Sequence, residues 1–337
     1  MNIYKQIEAE ICNASHIVIT SHKSADGDSV GCSLGLLHFI EKLGKKAVVC
    51  HPDPAPDFLY WLDTSPILLM TQEPEKVTEA FLEADLIFCL DYNAVNRVGD
   101  MQSLLESATG KKVMIDHHLD PEEFPDIVVS QTSASSTSEM IVDLIEESGH
   151  GKLLDEKIGT PLYLGMLTDT GTFRFPSVKP RTHEVLAKLL AAGVQHHLVH
   201  EYLNDNNTVS RLRLQGYAMS EKLEIMEDYQ VAIISLSKEE LARYNYKKGD
   251  TDSLANSALS IKGMRVAIVF TERDGIIKIS FRSKGQENAV NVLAAEHFNG
   301  GGHANAAGGM SELSVNDTLD KIRKLIPEYF SKAIADN

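Results

Sequence analysis

The sequence predicts two α/β domains in tandem, the first built on a mainly parallel doubly wound sheet and the second a smaller mixed α/β unit. Three observations carry that expectation. In the first half, short β-rich runs alternate with amphipathic helical stretches, the rhythm of a parallel sheet covered by helices on both faces. A polar stretch interrupted by "NDNN" then breaks the rhythm, and strand-like runs resume beyond it. The 337 residues also exceed the usual size of one core, and 43% apolar content suffices to bury two.

In chain order, "HIVIT" (16–20) is a strand by its β-branched content, and a helix follows over 29–42. "AVVC" (47–50), "DLIFCLD" (85–91), "KVMID" (112–116) and "DIVVS" (126–130) are further strands, apolar runs too short for buried helices. Helices are expected over 135–149 and 155–168. Another, over 182–192, follows Pro176 and Pro180 and stops at Gly193. This makes 1–195 the first domain, 196–226 a polar helical connector, and 227–337 the second domain. Strands at 229–237, 264–272 and 275–283 and helices near 252–261 and 288–297 build the latter. No internal repeat or low-complexity tract is evident.

With 32 basic against 48 acidic residues, the net charge of −16 argues against a broad basic surface gripping long duplex nucleic acid. Small anionic substrates remain compatible, because bound divalent cations make a cleft locally positive. Cys12, Cys32, Cys50 and Cys89 show no C-x-x-C or zinc-like spacing, which favours a reducing compartment. The first twenty residues carry acids where a signal peptide needs basic then apolar residues, and no run of about 18 apolar residues occurs. A cytoplasmic protein without membrane contact is expected, and a homodimer is compatible with that reading.

Three of the expected strands end in residues able to ligate metal. "HIVIT" leads into "SHKSADGD" with His22, Asp26 and Asp28; "DLIFCLD" ends at Asp91; "KVMID" runs into Asp116, His117 and His118. Ligands of open α/β sheets bind beyond the carboxyl ends of strands, so these residues should converge. Asp169, in "LGMLTDTGTFRF", adds a further acid after an apolar helix. Carboxylates mixed with imidazoles and no thiolate suit Mn²⁺ or Mg²⁺ better than structural zinc, and the set is large enough for two ions with a bridging carboxylate. Read alone, "MIDHHLD" is equally a solvated turn. In the second domain, "FNGGGHANAAGG" (298–309) brings Gly300, Gly301, Gly302 and His303 together, and "SFRSKG" (280–285) brings Arg282. Alone the glycines signal a tight turn. Beside Arg282 and a metal-rich first domain they suggest a phosphate cradle.

Taken together, His22-x-x-x-Asp26-x-Asp28, Asp91, Asp116-His117-His118 and Asp169 resemble, in order, motifs I to IV of the DHH phosphoesterase superfamily. "GGGHANAAG" resembles the signature of its DHH-associated C-terminal domain. The length is similar to the nano-RNase/pAp phosphatase branch, the NrnA-type bifunctional oligoribonucleases. RecJ-type exonucleases are longer, and membrane-bound cyclic-di-AMP phosphodiesterases carry helices and sensor domains not expected here. The resemblance implies a catalytic DHH domain, a DHH-associated substrate-binding domain, and an active site in the cleft between them. It also implies two Mn²⁺, or Mg²⁺, one held by His22 and Asp26, the other by Asp28, His117 and Asp169, with Asp91 bridging. Asp116 would orient the histidines and His118 would face the substrate phosphate. Arg282, Gly300 to His303 and, in "NRVGD", Arg97 would hold the anionic substrate; "YNAVNR" has fewer hydroxyl and acidic residues than the family pattern at that point. The implied substrates are short oligoribonucleotides and nucleotide bisphosphates such as 3'-phosphoadenosine 5'-phosphate (pAp). The rivals are an inorganic pyrophosphatase or exopolyphosphatase of the same superfamily, and a catalytically silent nucleotide-binding sensor. His196 and His200 form an i, i+4 pair that could bind metal or lie on a solvated helix face. Tyr60 and Trp61 could stack on a base or pack as core or lid. His16 and His38 are expected to be structural, and Cys32 and Cys89 to pack as small hydrophobes.

Overall fold

The structure, a computed structural model, describes residues 2–205 and 207–332, and the chain divides between 206 and 207 into two compact units. The first unit carries α1 (Ile3–Asn13), β1 (Ile17–Thr20), α2 (Gly27–Lys42), β2 (Ala47–His51), β3 (Ile67–Leu69), α3 (Pro74–Glu83), β4 (Leu86–Leu90) and α4 (Gln102–Ser107). It continues with β5 (Lys111–Asp116), β6 (Ile127–Ser130), α5 (Thr137–Glu147), α6 (Glu156–Asp169), α7 (Pro180–Ala191) and α8 (His196–Asn204). All six strands are parallel, in the order β3-β2-β1-β4-β5-β6. β1 and β4 are buried along their whole length, as continuous apolar runs in a sheet covered on both faces should be. Strand order reverses between them, so their carboxyl ends open a crevice.

One packing contact decides where the acids go. Gly27, Gly31 and Gly35 recur every fourth residue of α2 and form a stripe without side chains, against which α6 presses. A Cβ on Gly31 would lie 2.4 Å from the Pro161 carbonyl oxygen, and one on Gly35 2.4 Å from Leu162 Cδ2. α6 contributes Gly165, whose Cβ would meet Ser138 Oγ at 2.0 Å and Asp28 Oδ1 at 2.7 Å. The start of α2, the start of α5 and the end of α6 therefore share one pocket. The four-residue spacing is legible in "GDSVGCSLG" (27–35), a signal that motif reading passes over.

The second unit comprises α9 (Val209–Glu221), β7 (Leu223–Met226), β8 (Val231–Leu236), α10 (Lys238–Arg243), α11 (Leu254–Leu259), β9 (Val266–Arg273) and β10 (Ile276–Ser283). α12 (Asn291–His297), β11 (Gly301–His303), β12 (Ala306–Ser311) and α13 (Val315–Tyr329) complete it. Its sheet runs β11-β12-β10-β9-β8-β7, antiparallel except for the β8–β9 pair. Apolar residues of α12 and α13 cover one face, and those of α9 and α11 cover part of the other.

The structure differs from the sequence expectation in two segments. The stretch 196–226 is not one connector: α8 packs on α6 in the first unit, while α9 and β7 belong to the second. His200 Nε2 lies 3.2 Å from the Tyr163 hydroxyl, and Trp61 stacks on Tyr202 with ring centroids 4.9 Å apart, so His200 and Trp61 take part in that packing. The glycine run, which alone signals a tight turn, is strand over most of its length. Gly301–His303 is an edge strand paired with Ala306–Gly308, and a Cβ on Gly300 would fall 2.0 Å from the Gly308 carbonyl oxygen. Among the described residues no helix is long and apolar enough to cross a membrane.

Candidate metal centre

β1 delivers His22 and β4 delivers Asp91 on the two sides of the point where strand order reverses. Asp91 is 2% exposed and sits at φ +64°, a left-handed turn that aspartate tolerates better than most residues and that lifts its carboxylate off the strand axis. Its two oxygens face different neighbours: Oδ2 lies 3.4 Å from His22 Nε2, and Oδ1 lies 3.5 Å from His117 Nε2. Thr137 Oγ1 donates to Oδ1 at 3.0 Å and limits its rotation.

Each remaining acid is held by local chemistry. Asp26 caps α2: its Oδ1 accepts from the Asp28 and Ser29 amides at 3.0 Å, which leaves Oδ2, 3.7 Å from His22 Nε2, turned to the pocket. Asp28 accepts from the first two amides of α5, Thr137 N at 2.7 Å and Ser138 N at 2.9 Å, donors that a helix start otherwise leaves unpaired. Asp169, at the end of α6, lies 3.4 Å from His117 Nε2. Potential ligand atoms of His22, Asp26 and Asp91 lie within 4.8 Å of one another, as do those of Asp28, His117 and Asp169. Asp91, His117 and His118 form a third such group.

Asp116 is fully buried and serves His118: Oδ1 lies 2.6 Å from the ring Nδ1, and Oδ2 accepts the His118 amide at 3.1 Å. The adjacent histidines thus differ, since His117 is turned by Nε2 to Asp91 and Asp169 while His118 is tied back to Asp116 by Nδ1. Arg97 is half-buried on the segment after β4, and its carbonyl accepts from Lys23 N at 2.7 Å, which places it one residue from His22.

Electrostatics test whether this pocket suits cations. Burial drives the Asp91 carboxyl well above the ordinary range, and the Asp28 charge adds to it. Burial raises Asp28, and burial with the charges of Asp28 and Asp26 raises Asp169 to about 8. Burial opposes charge on His22, yet its bond to Asp91 and the Asp91 and Asp26 charges lift it to about 9. Carboxylates so placed repel one another unless a positive charge lies between them. His22 Nδ1 faces the Lys23 carbonyl at 2.9 Å, and a proton there leaves the Nε2 lone pair for a ligand. Imidazole nitrogens and carboxylate oxygens without sulfur fit hard or borderline divalent cations.

In the second unit, antiparallel register sets Arg282 and His303 on one sheet face, either side of Ala306. Their strands are two spacings apart, about 10 Å. Gly308, between Ser280 and Gly301, keeps the floor beside them flat. Arg282 is half-buried, and its Nη1 donates to the Phe281 carbonyl at 2.9 Å. Sequence reasoning missed Thr137 and Ser138 as partners of Asp91 and Asp28. The run "SASSTSE" (133–139), hydroxyls before a helix with an acid in its first turn, is the signal that marks such a helix start.

Residues 16–166 match the DHH family, N-terminal domain, and residues 227–332 match the DHHA1 domain. A bifunctional oligoribonuclease and PAP phosphatase NrnA of Bacillus subtilis is 29% identical over 297 residues, 87% of this chain and 88% of that one. Among solved structures, an exopolyphosphatase-related protein from Bacteroides fragilis superposes with a TM-score of 0.94 at 38% identity, covering 97% of this chain and 96% of that chain. RecJ from Thermus thermophilus, solved with Mn²⁺, shares the fold at a TM-score of 0.55 and 14% identity, covering 99% of this chain and 56% of its own.

Proposed function

Because this chain belongs to the DHH family, carrying its N-terminal domain and then a DHHA1 domain, we propose that it is a Mn²⁺-dependent phosphohydrolase of short oligoribonucleotides and of pAp. The observation that carries the reading is the Asp91 carboxylate, whose two oxygens face two different histidines within one buried acidic pocket. Similarity to a bifunctional oligoribonuclease and PAP phosphatase along nearly all of both chains supports the substrate class.

In this reading His22 and Asp26 would hold one cation, Asp28, His117 and Asp169 would hold the other, and Asp91 would serve both; Mg²⁺ would suit the same donors. A bound pair supplies a water-derived nucleophile at neutral pH and neutralises charge on phosphoryl oxygens. The chain's own groups do the rest. Asp116, by fixing Nδ1 of His118, sets the ring plane so that Nε2 serves a phosphoryl oxygen. Thr137 holds the Asp91 carboxylate in orientation. Arg282, His303 and the glycines Gly300, Gly301 and Gly302 hold the anionic end of the substrate, and Arg97 adds a phosphate contact beside His22.

The test is turnover of pApA, pAp, pyrophosphate and polyphosphate by the purified protein with Mn²⁺ and with EDTA. Hydrolysis of pApA and pAp that EDTA abolishes is the expected result. Preference for polyphosphate or pyrophosphate would favour the rival enzymes, which the exopolyphosphatase-related description of the Bacteroides fragilis protein keeps in the panel. Nucleotide binding without turnover would leave the silent sensor.

A further inference from the structure

Lys23 stands between His22 and Asp26 in the acidic pocket's first loop, and its side chain is exposed. Three contacts fix the backbone around it. The Lys23 amide donates to the Arg97 carbonyl at 2.7 Å, and the Ser24 amide donates to both carboxylate oxygens of Asp53, at 2.9 and 3.0 Å. His22 is held on the other side, its Nε2 3.4 Å from Asp91 Oδ2. Ser24 sits at φ +62°, a left-handed conformation that is unfavourable for a residue with a side chain and persists only where the surroundings impose it.

The Lys23 stem runs across Gly99, two residues beyond Arg97: a Cβ on Gly99 would lie 2.7 Å from Lys23 Cδ and 3.4 Å from Lys23 Cβ. Gly99 has φ +55° and ψ −125°, a backbone conformation that glycine alone adopts readily. The segment Val95–Met101 therefore offers the lysine a track without a side chain, and it carries Arg97 as well. Two residues span at most about 7 Å between Cα atoms, so the cation laid over Gly99 and the one that springs from Arg97 are within reach of a single phosphate. Among the described residues neither the Lys23 ammonium nor the Arg97 guanidinium closes an ion pair or makes a hydrogen bond. Asp53, the acid in contact with this turn, has both oxygens on the Ser24 amide. In a chain with 32 basic and 48 acidic residues, two unpaired cations thus flank a residue of the pocket.

We infer that Lys23, paired with Arg97, is a specificity-determining residue that grips the additional anionic oxygen of a terminal phosphomonoester and so favours pAp over pApA. This rests on the proposed function. Both cations belong to the same unit as the acidic pocket and are tied by backbone to its His22 loop, so they act beside the phosphorus that is attacked. A scissile monoester carries close to two negative charges at neutral pH and three unsubstituted oxygens, whereas a diester carries one charge and two such oxygens. In the diester the third position holds a nucleoside, which offers no charge to an ammonium or a guanidinium. Lysine suits a single oxygen as a point charge on a flexible stem, and the guanidinium beside it adds charge-assisted donors.

The test compares pAp with pApA on the Mn²⁺-loaded protein. Lys23→Ala should lower kcat/KM for pAp about tenfold, a loss at least about fivefold larger than that on pApA, with Mn²⁺ content unchanged. Lys23→Arg, which keeps the charge, should recover most of the loss. Lys46→Ala removes the same charge just before β2, at the amino edge of the sheet, and controls for net charge. Inorganic phosphate, whose oxygens are all unsubstituted, supplies a readout free of turnover: its affinity for the Mn²⁺-loaded protein should fall about fivefold in Lys23→Ala and stay unchanged in Lys46→Ala. Equal losses on pAp and pApA, no loss, the same loss in Lys46→Ala, or loss of Mn²⁺ from Lys23→Ala overturns the inference. Wild-type protein that hydrolyses pApA but not pAp also overturns it and leaves the oligoribonuclease reading standing. Wild-type protein that binds phosphate but hydrolyses neither substrate sinks the enzymatic reading alone, and the phosphate affinity of Lys23→Ala then decides the inference. Neither phosphate binding nor turnover by the wild type overturns both.

Discussion

At the scale of single residues, Asp91 is the group on which the proposed chemistry turns. Asparagine matches its shape and tolerates the left-handed backbone at φ +64° but cannot carry the negative charge. Asp91→Asn should therefore lose at least one metal and about 10³-fold or more in turnover. Burial already disfavours the charged carboxylate, so metal-free Asp91→Asn should melt no lower than metal-free wild type. Metal analysis and melting in EDTA check both halves; full metal content with near-normal turnover would refute the bridging role. The adjacent histidines provide a separate prediction. His117, turned by Nε2 to Asp91 and Asp169, should lose metal affinity when changed to alanine. His118, tied by Nδ1 to Asp116, should keep metal and lose turnover when changed in the same way. Metal titration of the two variants decides it, and equal metal loss would mean that their roles are not divided.

At the scale of elements, β2 ends in a histidine with no role in the proposed chemistry and a clear one in stability. His51 is 1% exposed, and its Nε2 lies 3.0 Å from Ser33 Oγ on α2. Ser33 already donates its one hydroxyl hydrogen to the Ser29 carbonyl at 2.7 Å, so His51 Nε2–H is the donor to it. Burial, with the nearby His22 charge, lowers its pKa to about 3. Between pH 6.5 and about 3 the unfolded chain takes up a proton that the folded chain refuses, so stability falls as pH falls, by about 1.4 kcal/mol per unit for this group. His51→Gln should flatten the acid limb of melting temperature against pH in metal-free protein; an unchanged slope would rule the effect out. Much of this level is legible in sequence. The strands that deliver His22, Asp91 and Asp116 to His118 are apolar runs with the proposed metal-site residues at their ends, and the structure has these strands where periodicity and composition put them. β3 is not legible because three residues carry no period. β11 and β12 escape because glycine has little strand preference and reads as a turn until a partner strand pairs with it. The hold of Thr137 and Ser138 on Asp28 spans more than a hundred residues and follows from the closeness of α2, α5 and α6, which motif spacing does not report.

At the scale of the whole molecule, charge sets the range of substrate length. The net charge of −16 argues against an extended basic track along which a long strand could lie. Each nucleotide added to a short RNA brings one more negative charge toward an acidic chain. kcat/KM should therefore fall steeply from RNAs of two or three nucleotides to a five-mer and a twenty-mer. Arg282→Ala should weaken transition-state binding of pApA by about 2 to 4 kcal/mol and leave bound Mn²⁺ unchanged, because it removes a charge-assisted fork from the substrate and nothing from the acidic pocket. Salt separates this account from simple steric exclusion. Binding of a dimer through phosphate contacts weakens as salt rises, whereas repulsion of a long strand by an acidic surface is screened, with a Debye length near 10 Å at 0.1 M. The twenty-mer to dimer ratio of kcat/KM should thus climb as salt is raised from 50 to 300 mM, values chosen to span about that screening range. A ratio that stays flat would point to a steric stop, and a twenty-mer degraded as efficiently as the dimer at low salt would show that the chain holds long strands in spite of its charge.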